Sequence, residues 1–200
     1  GVRQYLTIVG RGAISVEADT GRFLWGYNRI ANRVANIPSP IARGNMVFVT
    51  TSYKTGSALL RISRNGEAWN AEEVYFLGPK DFENHHGGVV LVGDHVYGGD
   101  GQNKGVPVCL EFETGKICRK PEAPGKGSAA VLYADGHLIF RYQEEGLIAL
   151  IEAKPDEYHL KSTFKPLTGS GPAWAHPVIH DGKLYLRHND LLACYDLRGK

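Results

Sequence analysis

Short runs in which apolar and polar residues take turns, each closed by a turn signal, fill this chain from end to end. Ile14, Val16 and Ala18 alternate with Ser15 and Glu17, and Val108, Leu110 and Phe112 alternate with Cys109 and Glu111. That two-residue period predicts strands with one buried and one more polar face. Helical spacing is not sustained over any long window. Residues 71–77 (AEEVYFL) are rich enough in β-branched and aromatic side chains to be read as an outer strand rather than a helical turn. Arg43-Gly44-Asn45, Gly93-Asp94, Asp135-Gly136 and Asp181-Gly182 each stand just ahead of an aromatic strand, and such pairs tolerate the positive φ that a tight hairpin needs. The pattern predicts an all-β chain.

A longer period lies over the short one. Tyr5, Phe48, Tyr97, Phe140 and Tyr185 recur at spacings of 43, 49, 43 and 45 residues. Each is followed by a polar-Gly turn or its remnant: Thr20-Gly21, Asn65-Gly66, Thr114-Gly115, Lys154-Pro155 and Arg198-Gly199. A period in the forties with only β signals inside it predicts a β-propeller built of four-stranded antiparallel blades. With strands A to D counted outward from the axis, the four Gly turns named first join A to B. The chain then reads as one propeller domain over residues 1–200, with a partial blade at 1–35, blades at 36–82, 83–125 and 126–171, and a partial blade at 172–200. The first partial blade supplies only B, C and D, and the last only A, B and C. Both ends duplicate B and C, so they do not close a ring by sharing strands. The expectation is an open arc of about four to five blades belonging to a larger propeller, because an arc alone leaves strand edges and an axial face bare.

Composition narrows the class without naming a chemistry. A chain that is 42% hydrophobic and 22% charged is ordinary for a soluble globular protein and argues against disorder. The 23 basic and 21 acidic residues nearly cancel, and no dense basic run interleaves with aromatics, so no nucleic-acid partner is expected. No stretch of 18 apolar residues is long enough to span a membrane. There is no charged-then-apolar leader, so any export signal is expected to have been removed or to lie outside this chain. The odd set Cys109, Cys118 and Cys194 contains no CxxC and no adjacent pair. Buried or unpaired thiols are expected, with a Cys109–Cys118 bridge across one hairpin as the alternative.

The stretch Val16-Glu17-Ala18-Asp19-Thr20-Gly21-Arg22-Phe23-Leu24-Trp25 closely resembles the repeat of the PQQ-like (quinoprotein-type) β-propellers. Leu110-Glu111-Phe112-Glu113-Thr114-Gly115-Lys116 looks like a second copy, and Tyr195-Asp196-Leu197-Arg198-Gly199-Lys200 like a shortened third. Ser39-Pro40 with Gly44 and Phe48, and His176-Pro177 with Gly182 and Tyr185, look like that family's inner hairpin. The motif has structural reasons: glycine allows a left-handed turn, and the threonine hydroxyl caps a backbone group. By the resemblance, the indole of Trp25, and by the repeat that of Trp69, covers the seam between neighbouring blades. Arg119 stands at the corresponding place after Gly115, so that seam is packed otherwise.

Family members that oxidise alcohols or sugars hold pyrroloquinoline quinone and Ca²⁺ at the axis, and calcium needs six to eight converging oxygens. No residue here matches the family's calcium ligands or base, so no catalytic, cofactor-binding or metal residue is carried over. The strongest local cluster is Glu83-Asn84-His85-His86-Gly87-Gly88, just before an inner strand. His85 and His86 are candidates to line the axial channel with Trp174 and His176, as a transition-metal or proton-transfer site or as a polar lining. Adjacent histidines on an extended chain point to opposite sides, so at most one is expected to serve. Asp100-Gly101-Gln102-Asn103-Lys104-Gly105 lacks the spacing of an EF-hand and reads as a flexible surface loop. His188-Asn189-Asp190 reads as the equivalent turn in the last blade, and Gly169-Ser170-Gly171-Pro172 lacks the lysine and helix of a phosphate loop.

The resemblance therefore implies a non-catalytic propeller serving as a binding or scaffolding module, periplasmic or extracellular, with no cofactor. The family's BamB-like branch is the nearest functional analogue, and the partner is a protein, or a small ligand or glycan, met through the propeller faces. The alternative is a fragment of a quinoprotein alcohol or sugar dehydrogenase with its ligands in other blades, and a third reading is carbohydrate processing.

Overall fold

The computed structural model describes residues 1–167 and 169–198, and these form strands, turns and loops with no helix. Five sheets follow one another along the chain. The first holds β1 (Gln4–Val9), β2 (Gly12–Glu17) and β3 (Phe23–Tyr27). The second holds β4 (Ile41–Arg43), β5 (Met46–Thr51), β6 (Gly56–Asn65) and β7 (Ala68–Leu77), and the third β8 (Val89–Val92), β9 (His95–Asp100), β10 (Val106–Glu111) and β11 (Ile117–Arg119). The fourth holds β12 (Ala129–Ala134), β13 (His137–Tyr142), β14 (Ile148–Glu152) and β15 (Leu160–Phe164), and the fifth β16 (Val178–His180), β17 (Lys183–His188) and β18 (Leu191–Asp196). Every sheet is an antiparallel meander in chain order. The first strands of three successive sheets, β4, β8 and β12, lie against one another and mark the inner side. Among the described residues no strand of the first sheet is bonded to a strand of the last, so the blades form an open arc.

The apolar interior is divided into four seams. Ile8, Leu24, Val47 and Leu60 pack between the first and second sheets, and Phe48, Leu59, Val96 and Leu110 between the second and third. Tyr97, Cys109, Leu138 and Phe140 pack between the third and fourth, and Ile139, Ile148, Leu184 and Leu186 between the fourth and fifth. Successive residues of one strand therefore serve different seams. Val47 and Val49 face back while Phe48 faces forward, and Val96 faces back while Tyr97 faces forward.

This arrangement corrects the expectation of one apolar and one polar face. Val108, Cys109 and Leu110 are all buried, because a blade with neighbours on both sides has no solvent face in its middle strands. In β2 the pattern departs from the expectation: Ser15 is buried on the same face as Ala13 and donates to Gln4 Oε1 at 2.6 Å, while Ile14 and Val16 lie half-buried on the face away from the second sheet.

The aromatic repeat also slips. Phe48 and Tyr97 face the following blade, and Tyr185 lies on the corresponding side of the last sheet, opposite Leu184 and Leu186. Phe140 faces the preceding blade, while Ile139 takes the forward position. Tyr5 is 62% exposed, and its neighbour Leu6 packs into the first seam instead. A shift of one residue along a strand changes its face, and the bare spacing of aromatics does not reveal it.

The C–D turns account for the irregular period. Thr20 Oγ1 donates to Glu17 Oε2 at 2.6 Å and accepts the Arg22 N–H, and Thr114 makes the same pair of bonds to Glu111 and Lys116. Gly21 and Gly115 share a φ of 73°, a left-handed value. A β-bulge fixes the register of each outer pair, setting Trp25 opposite Ser15, Tyr75 opposite Leu59 and Arg119 opposite Cys109. Ser15 to Trp25 and Cys109 to Arg119 span the same interval, whereas Leu59 to Tyr75 spans six residues more. The β6–β7 hairpin is that much longer, which lengthens the spacing from Phe48 to Tyr97. In the last turn, Gly199 and Lys200 lie outside the described residues.

Candidate functional site

The side chains singled out before an inner strand are presented by anchored loops at one end of the blades. The connection from β7 to β8 is fixed first. Glu83 Oε2 accepts the Lys54 N–H at 3.0 Å, and the Glu83 N–H donates to Asp100 Oδ1 at 2.9 Å. Asn84 donates its backbone N–H to Thr50 Oγ1 and its amide to the carbonyls of Gly88 and Gly99. Gly87 lies so close to the fourth sheet that a Cβ there would stand 1.6 Å from the Ala129 carbonyl oxygen. His85 and His86 are held between these anchors.

His85, His86, Trp174 and His176 line a single cleft of about 490 Å³ together with Ile37, Tyr53, Asn103 and Gln143. His85 hydrogen-bonds Ser128 Oγ through Nδ1 at 2.7 Å and the Tyr53 hydroxyl through Nε2 at 2.8 Å. The His86 Nε2–H donates to Gln143 Oε1 at 3.2 Å, and the His176 Nε2–H donates to the His86 carbonyl at 3.2 Å. The His85 and His86 rings are 4.5 Å apart, and Trp174 stands edge-on to His86 at 6.1 Å. The two adjacent rings do not point to opposite sides, as an extended chain would have them, but both line the cleft. Residues 84–86 are irregular rather than extended, so both rings turn the same way.

The cleft is built from two kinds of connection. Ile37, the histidine pair, and Trp174 with His176 come from the loops that join one blade to the next, whereas Tyr53, Asn103 and Gln143 come from the turns between second and third strands. Sequence reasoning did not assign Ile37, Tyr53 or Gln143 to this site, and it placed Asn103 in a loose loop. The available signal was positional, since all three polar residues sit just past the second strand of successive repeats. Backbone strain gathers here as well. Of the seven described non-glycine residues with positive φ, Tyr53, Lys54, Asn103, Glu145 and Asn189 all lie in second-to-third-strand turns. Such conformations cost about 1–3 kcal/mol each and persist where surrounding structure imposes them.

Among the described residues the ionisable groups of the cleft are three imidazoles and one phenol. Burial holds both His85 and His86 below the ordinary imidazole value, with His86 opposing charge on His85 and His176 opposing it on His86; the Gln143 bond to His86 acts the other way. Among the described residues none that lines the cleft is Asp, Glu, Lys or Arg. Among the described residues no three His, Cys, Asp or Glu side chains converge on a point that could hold a metal ion. Ser128 touches His85 but is itself buried and off the cleft wall, so the contact positions the ring. A quinone carrying three carboxylates and a bound calcium do not fit this lining, which offers neither cationic side chains nor carboxylate oxygens.

The remaining candidates have structural roles. The base of the Asp100–Gly105 turn is not a loose loop: Asp100 is buried, accepts from Glu83 and pairs with Lys120 at 2.7 Å. His188 is buried and donates through Nε2 to the Gly171 carbonyl, while the Asn189 amide donates to the Ser170 carbonyl. Trp25 is buried in the first seam and donates to Gln4 Oε1 at 3.1 Å. Trp69 packs against that same first seam, and its indole N–H is buried without a partner. The residue on the second seam in the Trp25 register is Tyr75, whose hydroxyl donates to the Phe112 carbonyl at 2.8 Å. Arg119 stacks over Tyr97 and Tyr158 on the third seam. All three cysteines are free thiols, and the register sets Arg119, not Cys118, opposite Cys109.

No family model and no curated protein matches the sequence. Solved structures do resemble the fold. A 6-phosphogluconolactonase-like protein of Bacteroides fragilis superposes with a TM-score of 0.60 at 14% identity, over 99% of this chain and 63% of that one. The Swd1 β-propeller domain of Myceliophteria thermophila gives 0.55 at 13% identity, over 97% and 69%, and BamB of Moraxella catarrhalis 0.49 at 11%, over 96% and 66%. The chain thus spans roughly two thirds of the length of the propellers it resembles. At these identities the likeness to the first two establishes a β-propeller fold.

Proposed function

We propose that this propeller is a non-catalytic binding module of the PQQ-like type, working outside the cytoplasm and holding its ligand in the histidine–tryptophan cleft. The observation that carries the reading is the cleft's lining: among the described residues, aromatic faces, amides and imidazoles converge there without a carboxylate base, a cationic clamp or a metal site. Concave, largely apolar sites with a few convergent polar groups are where small ligands bind. The Glu-x-x-Thr-Gly turns support the PQQ-like assignment, because both copies form the same hydrogen-bonded turn. The quinoprotein dehydrogenase reading has no donor set in this cleft to support it.

Titration with pyrroloquinoline quinone and Ca²⁺, followed by a dye-linked alcohol and glucose oxidation assay, tests the non-catalytic part. No calcium-dependent binding and no turnover is expected, whereas quinone-dependent oxidation refutes it. Fractionation of the source cells tests location, which fails if the protein stays in the cytosol.

A further inference from the structure

Trp174 is 60% exposed although it stands in a structured cleft, with one edge against His86 and the rest of the indole open. An aromatic of this size left bare beside hydrogen-bonding groups is the arrangement that recognises a ligand with an apolar face and a polar rim. The polar groups around it are amides and imidazoles: Gln143 beside His86, and Asn103 on a left-handed turn whose backbone N–H donates to Ser128 Oγ at 3.2 Å. Burial keeps His85 and His86 unprotonated at neutral pH, and among the described residues no Asp, Glu, Lys or Arg side chain lines the cleft. A charged ligand would lose its hydration here without gaining a counter-charge. An uncharged ligand with many hydroxyls meets neither penalty. Amides and imidazoles both donate and accept, as hydroxyls do, and the C–H face of a pyranose matches an open indole in shape and polarity.

We infer that the cleft seats an uncharged saccharide, with the C–H face of one sugar ring on Trp174 and its hydroxyls directed to Gln143, Asn103 and His86. The inference rests on the cleft being a ligand site and adds the class of ligand. The left-handed backbone at Tyr53 and Asn103 fixes two of the walls before binding, so little ordering is required of the protein when the sugar arrives.

The test applies the full chain to an array of neutral glycans alongside sulfated and sialylated ones, with Nile red as an uncharged aromatic probe of the same cleft. Trp174→Ala is compared with Tyr5→Ser, which alters an equally exposed aromatic at the far end of the arc. Neutral glycans are expected to bind, Trp174→Ala to weaken them about tenfold or more, and Tyr5→Ser to leave them unchanged. Binding confined to acidic glycans, or neutral-glycan binding that survives Trp174→Ala, overturns the inference. If Nile red binds in a Trp174-dependent way but no glycan does, the ligand class is wrong and the site stands. If neither binds, both the site and the ligand class are refuted.

Discussion

Tyr75 offers a direct test of how the blades are held together. Its hydroxyl donates to the carbonyl of Phe112, a fully buried residue of the next blade, and its ring lies against Gly115, where a Cβ would come within 2.8 Å of it. Burial pushes its phenol well above the usual value, so the hydroxyl stays a donor at any ordinary pH. Tyr75→Phe removes the bond and leaves the Phe112 carbonyl without that partner, at a cost of about 1 kcal/mol, which corresponds to about 2–4 °C in Tm for a chain of this length. Tyr75→Ala also removes a half-buried ring from the second seam, raising the cost to about 2–4 kcal/mol. Trp69→Phe makes the contrast. Trp69 borders an open 290 Å³ hollow and its buried N–H has no partner, so losing that N–H should be neutral or slightly stabilising. Urea unfolding monitored by circular dichroism reads all three variants. If Trp69→Phe destabilises more than Tyr75→Phe, the bulge-based register is wrong and the tryptophan repeat was the right guide.

Two further outcomes follow from the titrating groups. Because the folded values of His85 and His86 lie below the ordinary 6.5, the unfolded chain takes up protons first; stability is therefore full above 6.5 and falls as the pH drops from there, where the lowered Glu17, Glu111 and Glu152 still hold their charge. Urea midpoints between pH 6.5 and 4.5 should decline, and less steeply in His86→Gln; a rise on acidification sinks this account. Burial pushes the Cys109 thiol up to about 12, whereas Cys194 is exposed. Iodoacetamide should label Cys194 in the native protein and Cys109 only after unfolding, as peptide mass mapping would show, and rapid native labelling of Cys109 contradicts the packing of the third seam.

The class of fold was legible because turn chemistry and strand period are local. Asp135 and Asp181, each followed by glycine, adopt the positive φ that their sequence announces, and the Thr-Gly turns cap themselves with side chains three residues away. The facing of each strand was not legible, because it depends on what lies on either side. A middle blade is covered on both faces, so Met46–Val49 reads as an unbroken apolar run and gives no hint that Phe48 and its neighbours serve different seams. In such a strand an aromatic can move by one position, as from Ile139 to Phe140, without disturbing any composition signal. The six residues added to the β6–β7 hairpin then moved a tryptophan into apparent register with Trp25 while the seam position passed to Tyr75.

The site was half legible for a related reason. Burial of both blade faces leaves few places where a polar side chain can be useful, and those places are the ends of strands. Glu83-Asn84-His85-His86 stood out because its polar density has no role in a seam, and the structure divides it into two anchors and two presented rings. Tyr53 and Gln143 did not stand out, since each is a single residue in a short turn, and Asn103 stood in a loop read only as flexible surface; their relation appears only when three blades are set side by side. Their convergence is a consequence of the repeat itself: equivalent turns of successive blades end at the same end of the arc, so one residue from each is enough to wall a cleft. On this architecture a change of ligand requires only new residues at turn positions, with the seams untouched, and the left-handed backbone of those turns then holds whichever side chains stand there in place.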